Sequence, residues 1–179
     1  PAMTCRTVST LVHAGVTHVV GIPDNTSGPL FHEVRRHPTI RIVTATREGE
    51  AIAIAAGLWL GRAEPLVVIQ NTGLLESGDA LRGTAMRMRA ALPLVVTGRG
   101  WAKMERAGVG PETPRTPELL ARADVDATAL LTEPTLEAWG VPYSVCAGRD
   151  APADAIRHTI EAARAQEWPV AVVLARELT

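Results

Sequence analysis

The acid near the head of Thr46-Arg47-Glu48-Gly49-Glu50-Ala51-Ile52-Ala53-Ile54-Ala55-Ala56-Gly57 has the clearest chemical potential in this chain. The stretch follows an apolar run, Arg41 to Thr46, that reads as a buried strand, and it opens a segment apolar on every face. In a helix that pattern predicts burial all round. Glu48 falls in the first turn, where the helix dipole favours an anion, and Ala51, Ala53, Ala55, Ala56 and Gly57 let another backbone approach closely. Without a further signal, Glu48 reads as a helix-start acid on a core helix. Glu50 points about 200° away from it on a helix.

Further candidates are short polar stretches. Gly21-Ile22-Pro23-Asp24-Asn25 is a turn by chemistry, in which Asp24 and Asn25 are plain turn residues or face a ligand. Gln70-Asn71-Thr72-Gly73, leading into Leu74, reads as a strand-to-helix turn in which Gly73 permits close backbone approach. Arg47 and Arg99 are solvated cations or grips for a carboxylate or sulfonate.

Other chemistries find little support. There is no Gly-x-Gly-x-x-Gly after a first strand and no Gly-Lys-Ser/Thr loop. His32 and His37 are five apart instead of four, which turns them roughly 140° from each other on a helix, so no metal ligands are assigned. His13, His18 and His158 are scattered, Cys146 sits in an apolar strand as a small hydrophobe, and Ser77 and Ser144 lack a nucleophile elbow.

The elements that must position these residues alternate along the chain. Helical periodicity spans Cys5 to Val16, with Gly15 placed to end it; Thr17 to Ile22 is a β-branched strand. Ser27 can cap a helix running toward His37, and Pro38 stops it. The strand Arg41–Thr46, the helix Glu48–Gly61, a strand Pro65–Asn71, a helix from about Glu76 to Arg89 and a strand Pro93–Thr97 follow. Gly108, Gly110, Pro111, Pro114 and Pro117 punctuate Trp101 to Pro117 so densely that it reads as a long surface loop. A helical region ending near Trp139-Gly140, a strand Pro142–Ala147, a helix Ala151–Glu167 and a strand Val170–Ala175 complete the pattern. Six strands interleaved with helices predict an α/β three-layer sandwich, its mostly parallel sheet covered on both faces. Ligands of such folds sit at the carboxyl ends of the strands.

At 179 residues and 46% hydrophobic, the chain fits one domain, 1–179, with a real core. A net charge of −1 without a basic stripe argues against nucleic acid or an anionic membrane surface as partner. Two cysteines give no disulfide framework, and no run is long enough to span a membrane, so a soluble cytoplasmic protein is expected. Pro1-Ala2 resembles a tag scar or trimmed terminus ahead of Met3.

The motif Arg47-Glu48-Gly49-Glu50-Ala51-Ile52-Ala53-Ile54-Ala55-Ala56-Gly57, followed by Ile69-Gln70-Asn71-Thr72-Gly73-Leu74, resembles the pyrimidine-binding domain of thiamine-diphosphate enzymes. The variety is that of sulfopyruvate decarboxylase α chains and phosphonopyruvate decarboxylases. Gly21-Ile22-Pro23-Asp24, Gly98-Arg99-Gly100 and Trp139-Gly140-Val141-Pro142-Tyr143 are similar to that family in the same order.

The resemblance implies that Glu48 is the catalytic acid that hydrogen-bonds N1′ of the aminopyrimidine, and that Asn71, Thr72, Gly73 and Leu74 line the cofactor. Asp24, Asn25, Arg47 and Arg99 become substrate-side candidates for a 2-oxo acid. It also implies a second half, which binds the diphosphate through Mg²⁺ with Gly-Asp-Gly and a later asparagine. Gly78-Asp79-Ala80 is not followed by any asparagine, since Asn25 and Asn71 both precede it. A separate β-type subunit carrying that domain, in a hetero-oligomer (α2β2 or larger), is the partner so implied. A carboligase subunit and a non-catalytic binding module are the alternatives. Leu75-Glu76 and Asp79 stand where relatives typically have neutral residues, and these acids would repel a second anionic group if they faced the pocket.

Overall fold

A computed structural model describes residues 2–110, 112–147 and 152–175, with side chains from Arg6 onward. Pro1, Pro111, Ala151 at the expected helix start, and the side chain of Cys5 lie outside the described residues. The elements in order are α1 (Ala2–His13), β1 (His18–Gly21), α2 (Gly28–Arg35), β2 (Arg41–Thr44), α3 (Glu48–Leu60), β3 (Pro65–Gln70), α4 (Asn71–Glu76) and α5 (Gly78–Ala80). A π-helical turn (Leu81–Met86), β4 (Pro93–Thr97), α6 (Trp101–Arg106), α7 (Pro117–Leu120), α8 (Ala127–Ala138), β5 (Tyr143–Cys146), α9 (Pro152–Gln166) and β6 (Val170–Leu174) follow.

Among the described residues six strands form one sheet in the order β2-β1-β3-β4-β6-β5, every neighbouring pair parallel. The chain leaves β1 toward β2 on one side and returns to β3 on the other, so the β1/β3 boundary is a switch point. Crevices for ligands open beyond the carboxyl ends of strands at such a place. Gly21 ends β1 there because the backbones crowd: a Cβ on it would lie 1.8 Å from the Val68 carbonyl oxygen.

Strand periodicity sorts the core into two layers. Val67, Ile69, Leu94, Val96 and Val173 face α3, α4 and the π-helical turn, whereas Leu66, Val68, Val95 and Val172 pack against α1, α2 and α9 through Leu11, Leu30, Phe31, Ile156 and Ile160. Each fully buried Leu or Ile contributes about 1.5–3 kcal/mol. A smaller third cluster, Met104, Val109, Leu119, Val125, Ala129 and Leu130, lies beside the sheet.

Four local expectations are corrected. Trp101 to Pro117 contains helix α6 and leads into α7, because Gly100 at φ +95° starts a helix and Gly108 at φ +65° follows its end; the expected loop is confined to the stretch between the two helices, where the described residues carry no helix or strand. The helix expected from Glu76 begins at Asn71, directly on the strand end. Strand β2 is a half-exposed edge, not a buried strand. Helix α3 buries Ala51, Ile52, Ala55 and Ala56 but leaves Ala53, Gly57 and Leu60 uncovered, Leu60 being 68% exposed.

Candidate active site

Three acids surround the first turn of α3, and two of them are engaged. Glu50 Oε2 accepts from the Thr46 N–H at 2.8 Å and from the Thr46 hydroxyl at 2.8 Å. The Thr46 N–H and then its hydroxyl hold the Glu50 carboxyl below its ordinary pKa. Glu76, reaching across from the end of α4, accepts from the Gly49 N–H at 3.0 Å through Oε2 and pairs through Oε1 with the Arg47 guanidinium. The bond to the Gly49 N–H satisfies one of the backbone donors that every helix start leaves orphaned.

Glu48 has no hydrogen-bond or ion-pair partner among the described residues. Its half-buried side chain lies against the backbone of Gly73. A Cβ at position 73 would stand 2.0 Å from Glu48 Cγ, 2.1 Å from Cδ and 2.2 Å from Oε1. The place a side chain would take at 73 is thus the place of the Glu48 carboxylate.

Two side chains staple the strand ends into a rim. Asp24 Oδ1 accepts from the Thr26 N–H at 2.8 Å, the Ser27 N–H at 2.6 Å and the Ser27 hydroxyl at 2.9 Å. Its Oδ2 accepts from the Thr97 hydroxyl at 2.6 Å and from Gln70 Nε2 at 3.3 Å. One carboxylate therefore joins the ends of β1, β3 and β4. Ser27 does occupy the N-cap of α2, but its hydroxyl serves Asp24 instead of the helix. The wholly buried Asn71 donates to the Arg99 carbonyl at 2.9 Å and to the Thr132 hydroxyl at 3.3 Å, and accepts from the Arg99 N–H at 3.1 Å.

Beyond this rim lies an open cleft of about 1350 Å³ whose walls include Asn25, Gln70, Arg99, Trp101, Arg115 and Glu133. Arg99, its side chain 65% exposed, has Nε 3.7 Å from Asp126 Oδ2. Gly100 makes that approach possible, since a Cβ there would lie 2.6 Å from Asp126 Cγ. Arg115 anchors the outer wall: Nε donates to the Leu130 carbonyl at 3.0 Å. That carbonyl lacks its helical donor because Pro134, four residues on in α8, has no N–H. At the near end of α8, the Tyr143 hydroxyl donates to Glu137 Oε1 at 2.8 Å with Glu133 Oε2 at 3.2 Å. Burial first, then the bond to Glu137, pushes the Tyr143 pKa up.

The residues singled out by sequence thus divide. Glu48 and Gly73 meet, with Thr72 exposed beside them and Leu74 fully buried in the core. Asn25 and Arg99 face the cleft. Asp24 and Asn71 hold the rim through their side chains, and Arg47 is paired with Glu76. Asp79 points to solvent, 90% exposed and paired with Arg82, and neither it nor Glu76 is a wall of the cleft. Sequence reasoning placed Gln70 in a polar strand end but missed Thr97, Arg115 and Asp126. Only Pro134 inside a helical pattern, with its orphaned carbonyl, signalled one of them.

The family described as "Thiamine pyrophosphate enzyme, N-terminal TPP binding domain" matches residues 6–114. Phosphonopyruvate decarboxylase of Streptomyces viridochromogenes is 38% identical over 93 residues, which are 52% of this chain and 23% of that protein. Phosphonopyruvate decarboxylase of Streptomyces hygroscopicus is 40% identical over 86 residues, 48% of this chain and 21% of that protein. The aligned part is thus less than a quarter of either relative. Among solved structures, benzoylformate decarboxylase from Polynucleobacter necessarius superposes with a TM-score of 0.66 at 22% identity. Thiamine diphosphate-dependent 4-hydroxybenzoylformate decarboxylase from Rhodococcus jostii RHA1 gives 0.61 at 18%. Both superpositions cover 96% of this chain and 29% of the other, and at these identities they speak for the fold alone.

Proposed function

The chain belongs to the family of thiamine pyrophosphate enzymes, and on that premise we propose that it is the pyrimidine-binding α subunit of a 2-oxo acid decarboxylase of the phosphonopyruvate or sulfopyruvate type. The observation that carries the proposal is the Glu48 carboxylate, left without a partner while Glu50 and Glu76 are engaged, and lying in the space that Gly73 keeps open. A free carboxylate beside a glycine cradle fits the edge of an aminopyrimidine.

When bound, thiamine diphosphate supplies the electron sink that lets a 2-oxo acid lose carbon dioxide. Glu48 would hold a proton at N1′ of the pyrimidine by a hydrogen bond, and Gly73, having no side chain, gives the Glu48 carboxylate the place from which it would do so. Leu74, buried beneath, fixes the adjoining backbone to the core. The staples from Asp24 and Asn71 keep the strand ends in register. Arg99 and Asn25 offer a cation and an amide to the anionic substrate from the cleft wall. Because Glu76 is paired and Asp79 turns to solvent, neither opposes a second anionic group there.

The diphosphate and Mg²⁺ are assigned to a separate β-type chain in a hetero-oligomer, α2β2 or larger. The uncovered apolar face of α3, with Leu60 68% exposed, supports a partner there. Among the described residues no helix is long and apolar enough to cross a membrane. Calorimetric titration of thiamine diphosphate and Mg²⁺ into this chain, alone and with the β-type chain, tests the assignment. Binding to the pair only is expected; tight binding to this chain alone contradicts the shared site, and no binding to either contradicts the enzyme.

A further inference from the structure

We propose that Glu76 is a positioning residue for Glu48, clamping the two residues on either side of it so that its carboxylate stays over Gly73. The inference rests on the reading of Glu48 given above, but its geometry stands separately. Helix α4 carries both parts of the device three residues apart, a spacing that puts Gly73 and Glu76 on one helical face. Gly73 receives the Glu48 side chain. Glu76 takes the Gly49 N–H through one oxygen, at 3.0 Å, and the Arg47 guanidinium through the other. Residues 47 and 49 are thereby tied to α4, and residue 48 between them has its backbone direction fixed.

The two segments pack side by side at residue 49, where even an added Cβ would find ordinary contact distances. A Cβ on Gly49 would lie 3.4 Å from Glu76 Oε2, 3.6 Å from Ala80 Cβ and 3.8 Å from Ser77 Cα, so the helices already stand at contact distance. The Arg47 side chain is 73% exposed, and an ion pair so open to water holds little by itself. The bond to the Gly49 N–H adds a second charge-assisted contact, and its donor belongs to the backbone, so no side-chain freedom is lost on the donor side. Arg47 has a second effect: it offsets the Glu76 charge, which would otherwise repel the Glu48 carboxylate. Glu50 completes the arrangement by holding Thr46. The acid at position 76 therefore serves the catalytic carboxylate, and Arg47 belongs to the clamp instead of to the substrate.

The test is nuclear magnetic resonance on the labelled chain with Glu76→Ala and Glu76→Gln. Two signals report the clamp: hydrogen exchange of the Gly49 N–H, and the cross-relaxation peak between the Glu48 γ-methylene and the Gly73 α-protons. Glu76→Ala is expected to speed Gly49 exchange about tenfold or more, the factor set by one charge-assisted hydrogen bond, and to abolish the cross-peak. Glu76→Gln keeps a neutral acceptor for the Gly49 N–H, so exchange rises less than in Glu76→Ala and the cross-peak survives. If Glu76→Ala leaves both signals unchanged, or if every core amide accelerates together with Gly49, the clamp is overturned.

The assembled enzyme gives a second readout, the exchange rate of the C2 proton of bound thiamine diphosphate. Glu76→Ala is expected to slow it about tenfold with cofactor affinity little changed, and Glu48→Gln to remove it. Loss on Glu48→Gln without any effect of Glu76→Ala overturns the clamp and leaves the proposed function standing. An unchanged rate on Glu48→Gln, with the cross-peak lost on Glu76→Ala, overturns the function and leaves the clamp.

Discussion

Gly73 and Glu48 share one space: a Cβ on Gly73 would stand 2.0 Å from Glu48 Cγ and 2.2 Å from Oε1. The glycine comes from the first turn of α4 and the acid from the first turn of α3. Two short sequence stretches, 25 residues apart, are thus a single device. Neither stretch alone would distinguish a catalytic carboxylate from a helix-start acid.

Gly73→Ala must therefore evict the Glu48 carboxylate or push α4 away. Overpacking of this kind costs about 1–3 kcal/mol. The isolated chain should lose that much in urea unfolding, and cofactor binding by the assembled enzyme should weaken at least tenfold. Wild-type stability and affinity in this variant would mean that the two residues do not share a site.

Asp24→Ala should behave as a structural lesion. It strips acceptors from the Thr26 and Ser27 N–H groups and from the Thr97 hydroxyl, and a partly buried network of this sort is worth about 2–3 kcal/mol. Urea unfolding of the isolated chain measures it. A loss below about 1 kcal/mol, joined to a raised KM in the assembled enzyme, would return Asp24 to the substrate side.

Arg115 and Pro134 should be coupled through the Leu130 carbonyl. Arg115→Ala removes the donor that replaces the N–H missing at Pro134, at a cost of about 1 kcal/mol. In a Pro134→Ala background the backbone N–H returns, and the same change at Arg115 should cost less than half as much. Equal costs in both backgrounds, read from a double-mutant cycle, would separate the arginine from the proline.

The sheet was legible because its strands are short apolar runs, β-branched in the main, bounded by turn residues, as Pro65–Gln70 and Pro93–Thr97 are. The first turn of α3 was legible too, since an acid ahead of small residues is a local pattern. Helix α4 was not, because Asn71-Thr72-Gly73 has the chemistry of a turn, and the partners of the buried Asn71 amide, Arg99 and Thr132, lie far along the chain. The 101–117 segment misled for a related reason: Gly100 and Gly108 are helix boundaries whose backbone angles only the fold reveals. Burial around α3 is partial, as Ala53, Gly57 and Leu60 have nothing among the described residues to cover them. The roles of Asp24 and Glu76 rest on partners 73 and 29 residues away respectively, a separation at which no periodicity survives.

Glu48 bears most of the weight, and the exchange of the C2 proton of bound thiamine diphosphate with deuterium reports on it directly. Comparing the assembled enzyme with its Glu48→Gln variant, at matched cofactor saturation, isolates the carboxylate from binding. Exchange slowed by about a thousandfold or more, equivalent to roughly 4 kcal/mol of barrier, is the predicted result. Exchange at the unmodified rate would contradict it and make Glu48 an acid that merely begins a helix.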